Sequence, residues 1–152
     1  MLADVDAFLL AECNTDRVAE MEQHLLKMPQ VEMEVDDLYI NGMYARKLTI
    51  PADTVLTGRV HKQDYINVMV SGDIAVTVGG EVKRLNAFEL IPGQAGQKRV
   101  GYTFAETVWL TIDPADKEVE DMVNHISCFN VADYNEDKKL LGVDMKVLGG
   151  DQ

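Results

Sequence analysis

MYARKLTIPADTVLTGRVHKQDYINVMVSGDIAVTVGGEVKRLNAFELIPGQAGQKRVGYTFAETVWLTID, residues 43–113, decides the fold. Short β-branched and aromatic runs recur along it, cut by Pro51, Gly58, Gly72, Gly79-Gly80 and Pro92-Gly93. Short strands at regular spacing, with turn residues between them, predict an all-β sandwich or barrel. The expected strands are 43–50, 54–61, 65–71, 73–79, 81–86, 88–91, 97–104 and 107–112. Gly79-Gly80 should close a tight hairpin, because glycine reaches positive φ without strain.

Working outward, Leu2, Val5 and Leu9 give residues 2–12 a helical apolar spacing. A clearer helix follows, capped by Asn14 or Thr15, with Asp16 complementing its N-terminal dipole. Val18, Met21, Leu25 and Met28 form its apolar stripe and Pro29 ends it. Val31, Met33 and Val35 alternate with Glu32, Glu34 and Asp36, the pattern of a half-buried strand. Asn41-Gly42 is a turn signal. Downstream, Asp113-Pro114 reads as a helix start, with Val119, Met122, Val123 and Ile126 on one face. Residues 134–141 read as a further short helix ended by Gly142. The expectation is a mainly β chain, with residues 1–42 leading in, a barrel over 43–113 and a helical segment over 114–152, all in one structural domain.

The formal charge is -12, and it is uneven. Residues 43–113 carry eight basic and seven acidic side chains, leaving six basic and nineteen acidic to the flanks. A net-negative surface disfavours unspecific binding to nucleic acid or to anionic membrane. No apolar run is long enough for a transmembrane helix, and the N-terminus lacks a basic signal-peptide region. Cys13 and Cys128 read as reduced thiols rather than a disulfide or a metal pair.

Residues 51–72 resemble the first motif of the cupin superfamily, anchored on Gly72. The resemblance puts Arg59, His61 and Tyr65 at the family's metal-ligand positions. Pro92 and Gly93 keep the turn of the second motif, while Gln97 or Lys98 stands where a histidine belongs. His61 is the one histidine the match retains. ARKLTIPADTVLTGRVHKQDYINVMVSGDIAV and KRVGYTFAETVW are similar to small cupin-like proteins of tailed bacteriophages. That similarity implies a jelly-roll barrel and a phage genome, with the host cytoplasm or the virion as location.

Two features of the barrel stretch can carry chemistry. Arg59 and Arg99, with Lys98, could clamp a carboxylate or phosphate at the barrel mouth, since guanidinium forks match those anions. His61, with Asp64 or Tyr65, could form a reduced metal site, although a lone imidazole does not hold a catalytic metal. The plain alternatives are outward charge balanced by Glu81, Glu89 and Glu106, and a hydrogen-bonded histidine. Asp133 to Asp144 matches a calcium loop only in part, because Lys138 and Asp144 replace its glycine and glutamate. The expected function is non-enzymatic: a phage accessory or virion-associated protein acting by binding or self-assembly, without cofactor. Its partners would be itself, through Met21, Leu25, Met122 and Ile126 or an open barrel edge, and other phage proteins. The alternatives are a degenerate enzyme with a metal at His61 and a small-anion binder.

Overall fold

The computed structural model describes residues 15–78 and 81–128. In chain order they form helix α1 (Thr15–Leu25) and strands β1 (Glu34–Ile40), β2 (Met43–Ile50), β3 (Val55–Thr57), β4 (Val60–His61) and β5 (Tyr65–Val78). Strands β6 (Glu81–Leu85), β7 (Glu89–Gly93) and β8 (Val100–Pro114), helix α2 (Met122–Ile126) and strand β9 (Ser127–Cys128) follow.

Two long antiparallel strands, β5 and β8, are the spine. Between Met69 and Ile74 their register shifts through bulges. Bulges bend a strand and strengthen its twist. Gly72 sits there at φ +114, and a Cβ on it would lie 2.5 Å from the Glu106 carbonyl oxygen. Only glycine fits this corner. On one side of the bend the strand order is β1-β2-β8-β5-β7, and on the other it is β3-β8-β5-β6. The two halves enclose one core, which joins Ile50, Met69, Ile91 and Trp109 to Ile74, Val76 and Leu85. Trp109 is buried, as its place in the strand rhythm predicts.

The same bend corrects the expected strands. The strands expected on either side of Gly72 are one strand, Tyr65–Val78, because glycine at a bulge looks like a turn in sequence, and those expected on either side of Ala105-Glu106 are one strand, Val100–Pro114. Conversely, 54–61 is broken at Gly58 and Arg59 into β3 and β4. The lead-in strand is Glu34–Ile40 rather than 31–36, and Val31 and Val35 are exposed. Its register is set by the turn at Asn41 (φ 50) and Gly42 (φ 87), which pairs Ile40 with Met43. Such a left-handed pair is the turn that short hairpins favour.

Both helices lie against their own barrel. Met21 of α1 is buried with Ala75, Val100 and Tyr102, and Leu25 packs beside them, while Met28 is exposed. Downstream, β8 runs on through Asp113 to Pro114, so no helix starts there. Helix α2 begins eight residues later, where the Asp121 carboxylate accepts a hydrogen bond from the Asn124 amide. Met122 and Ile126 pack on Tyr44 and Ala115. The expected helices over 2–12 and 134–141, Cys13, the Gly79-Gly80 turn and the calcium-like segment lie outside the described residues. Cys128 is buried.

Candidate functional site

Side chains alternate across a strand, so the cavity-facing set can be read from the register. Along β2 it runs Tyr44, Arg46, Leu48, Ile50. Tyr44 pairs with Asp113, Arg46 with Thr111, and Leu48 with Trp109 on β8. Thr111 pairs in turn with Asn67, and Trp109 with Met69, on β5. The interior is therefore polar toward Tyr44 and apolar toward Ile50. It holds a cavity of about 220 Å3, walled on the other half by Leu56, Ile74, Val76 and Arg99 and closed by Val123 and Ile126 of α2.

Four of the five ligand residues expected from the sequence line this cavity: Arg59, His61, Tyr65 and Arg99. Lys98 does not. It lies in the loop before β8 and faces α1, where its ammonium pairs with Glu22 at 2.9 Å and donates to the Gly58 carbonyl at 2.9 Å. Burial lowers its pKa. The Thr57 hydroxyl also donates to the Glu22 carboxylate, so the pair fastens α1 to the barrel.

Three guanidinium groups face the cavity. Arg46 is spent on Asp37, with two hydrogen bonds of 2.9 Å. Arg59 meets neutral acceptors among the described residues. Its Nε donates to Ser127 Oγ at 2.7 Å and its Nη2 to Asn124 Oδ1 at 2.6 Å. Burial lowers its pKa. Arg99 donates from Nη2 to the Pro92 carbonyl at 2.6 Å, but its Nη1 is buried with no hydrogen-bond partner among the described residues. An unpaired buried donor on a permanent cation is costly, and an anion beside it removes the cost.

His61 is held on two sides. Its Nδ1 lies 2.5 Å from Asp113 Oδ2, and its ring stacks on Tyr65 with centroids 3.6 Å apart. With Asp113 ionised, Nδ1 carries the proton and Nε2 is left as the acceptor. Behind Tyr65 lies Gly93, where a Cβ would come within 2.5 Å of the phenol ring. Burial raises the Tyr65 hydroxyl's pKa. Asp113, Arg46 and Asn67 are the site residues that the sequence reading missed. The signal for them was the period-two run Tyr44, Arg46, Leu48 and its counterpart Trp109, Thr111, Asp113.

The positions that the cupin resemblance assigns to metal ligands do not fit a resident transition metal. Arg59 stays protonated and cannot coordinate. Tyr65 offers His61 a ring face rather than a hydroxyl, so His61 is the one donor these three positions supply. Among the described residues no group of three or more His, Cys, Asp or Glu side chains converges. A protein-held zinc site needs about three such donors.

No family model and no curated protein matches the sequence. Among solved structures it is similar to a cupin superfamily protein from Desulfitobacterium hafniense, at 10% identity, 61% of this chain, 86% of that chain and a TM-score of 0.49. A cupin-2 domain containing protein from Shewanella frigidimarina matches at 12% identity, 62% of this chain, 92% of that one and a TM-score of 0.44. KdgF from Halomonas sp. matches at 17% identity over 62% of this chain and 89% of that one, with a TM-score of 0.50. The fold is a cupin-like jelly roll. At these identities the likeness is one of fold. The phage setting implied by the sequence resemblance has no counterpart among these three cupin-like neighbours. No helix of the described residues is long and apolar enough to cross a membrane.

Proposed function

We propose that this cupin-like barrel is a non-enzymatic binding protein that holds a small organic anion, a short carboxylate with an apolar tail. The observation that carries the reading is Arg99 Nη1, buried without a partner among the described residues in the wall of a cavity whose far end is apolar. Arg59, bonded to neutral groups among the described residues, would share the anion's charge. Leu48, Ile50 and Trp109 would take the tail. The wider setting, an accessory or virion-associated protein of a tailed bacteriophage, belongs to the same proposal and rests on the sequence resemblance.

A ligand that binds only the folded state raises its melting temperature. Straight-chain acids from acetate to hexanoate should therefore raise Tm, increasingly with chain length up to the cavity's limit, while the matching amides leave it unchanged. An equal response to acids and amides, or none to either, would overturn the reading.

The His61–Asp113 pair favours a second reading, proton transfer without metal. A carboxylate that orients an imidazole is a recurring arrangement for general bases. In that case His61 Nε2 would take the C3 proton of a held 2-oxo acid, and the electron pair would pass to the ketone oxygen as an enolate. The protein would then exchange the C3 hydrogens of a 2-oxo acid with deuterium in heavy water faster than buffer does, and His61→Gln would not. A binding protein leaves the buffer rate unchanged.

A further inference from the structure

The outer faces of the two half-sheets differ. Helix α1 covers the half built from β3, β6 and the adjoining parts of β5 and β8, through Met21 on Ala75, Val100 and Tyr102. No described element covers the other. There the register lines up Leu38, Ala45, Ile112, Ile66 and Pro92 in one row across β1, β2, β8, β5 and β7. Their strand neighbours Tyr44, Arg46, Thr111, Tyr65 and Asn67 line the cavity, so this row points outward. The flanking rows add Ile40 and Met43 on one side and Leu90 on the other. Leu38 is 63% exposed, Ile40 58%, Met43 50%, Ile66 49% and Leu90 65%.

An antiparallel sheet with one face in water normally alternates apolar-in and polar-out. Here the outward row is apolar, which is the pattern of a sheet that is covered on its outer face as well. We propose that a second copy of this chain covers it, face to face about a two-fold axis.

Size and charge favour a second copy as occupant. Five strands at about 4.8 Å spacing make a flat surface on the order of 20 Å wide. The five most exposed side chains alone leave roughly 500 Å2 of apolar surface, most of the ~800 Å2 that each partner gives to a standard interface. A chain of net charge -12 repels its own copies, and such repulsion is weakest where the surface carries little charge. The central row carries none, and at the β1 edge Asp36 is matched by Lys47 at 3.7 Å. Opposite charges at one edge of an apolar face let two copies meet about a two-fold axis, where the same patch serves on both. The expected self-association thus moves from the helices, whose stripes meet their own barrel, to this sheet. The inference does not depend on the anion reading.

Sedimentation velocity on the full chain at tens of micromolar tests it, beside Leu38→Lys/Leu90→Lys. Both positions are more than half exposed in the single chain, so the double variant should keep its circular dichroism. The wild type should sediment with the mass of two chains and the variant with the mass of one. If the variant loses its dichroism, Leu38→Ser/Leu90→Ser is read in its place. A wild type of one-chain mass overturns the inference, and protection of Met43 from oxidation would then assign the cover to the chain's own residues 1–14 or 129–152. A folded variant that keeps the two-chain mass also overturns it, because the contact would lie on another surface.

Discussion

Tyr65 and His61 lie ring on ring, 3.6 Å apart and 9° from parallel. His61 is fixed in turn by Asp113 at the far end of the barrel stretch, and Tyr65 by the bare backbone of Gly93. The order Gly93, Tyr65, His61, Asp113 is a stack without slack.

Gly93→Ala would push a methyl group to 2.5 Å from the Tyr65 ring. The ring's freedom to move is limited, because the His61 imidazole is stacked on it. Overpacking of this kind costs about 1–3 kcal/mol. Urea unfolding should show a loss in that range. Gly58→Ala, where no atom lies within 4 Å, serves as the control and should change stability by under about 0.5 kcal/mol. Equal midpoints for both variants would contradict the packing described for Tyr65.

The Lys98–Glu22 pair gives a second prediction, on stability rather than binding. The Lys98 side chain is 0% exposed and that of Glu22 6%. Removing one member of a buried pair leaves an uncompensated charge and costs about 3–5 kcal/mol, whereas replacing both with apolar groups is often near neutral. Lys98→Met should therefore be much less stable than Glu22→Leu/Lys98→Met. A double-mutant cycle with no coupling would contradict the tether between α1 and the barrel.

Tyr44 makes stability fall at alkaline pH. Burial first, and then the Asp37 carboxylate beside it, push its hydroxyl up to about 12. An unfolded tyrosine ionises near 10, so between about pH 10 and 12 the folded chain keeps a proton that the unfolded chain has released. The stabilisation is complete below pH ~10 and is lost as pH rises through that window. Melting temperature should drop there, and Tyr44→Phe should flatten part of the drop. The same alkaline slope in both proteins would contradict this account.

Much of the fold is legible in the sequence because its punctuation is local. Pro92-Gly93 and Asn41-Gly42 end strands, and the period-two spacing of Arg59 and His61 turns both into one cavity. What escaped the sequence depends on distant partners. Asp113-Pro114 has the local chemistry of a helix start, but Asp113 is claimed by His61, 52 residues away, and stays in a strand. Lys98 and Arg99 look alike in sequence, yet in the loop before β8 their side chains part. One meets Glu22 and the other meets the cavity. Gly72 reads as a turn because a bulge and a turn demand the same backbone freedom. The outer apolar row is hidden for a related reason. Alternation shows that a strand has two faces, but Ile66 and Ile112 occur among inward residues that are themselves partly polar, such as Asn67 and Thr111.

The anion reading is tested most directly by the fluorescence of Trp109, the chain's one tryptophan, which stands in the cavity wall. Wild-type protein titrated with pentanoate should show a saturable change in emission, and pentanamide should give none. Hydrogen bonds to charged groups are worth about 1.5–3 kcal/mol, so Arg99→Gln should bind pentanoate at least about tenfold more weakly. Emission that stays flat with pentanoate, or a response that is the same for the amide or unchanged in Arg99→Gln, would contradict the account.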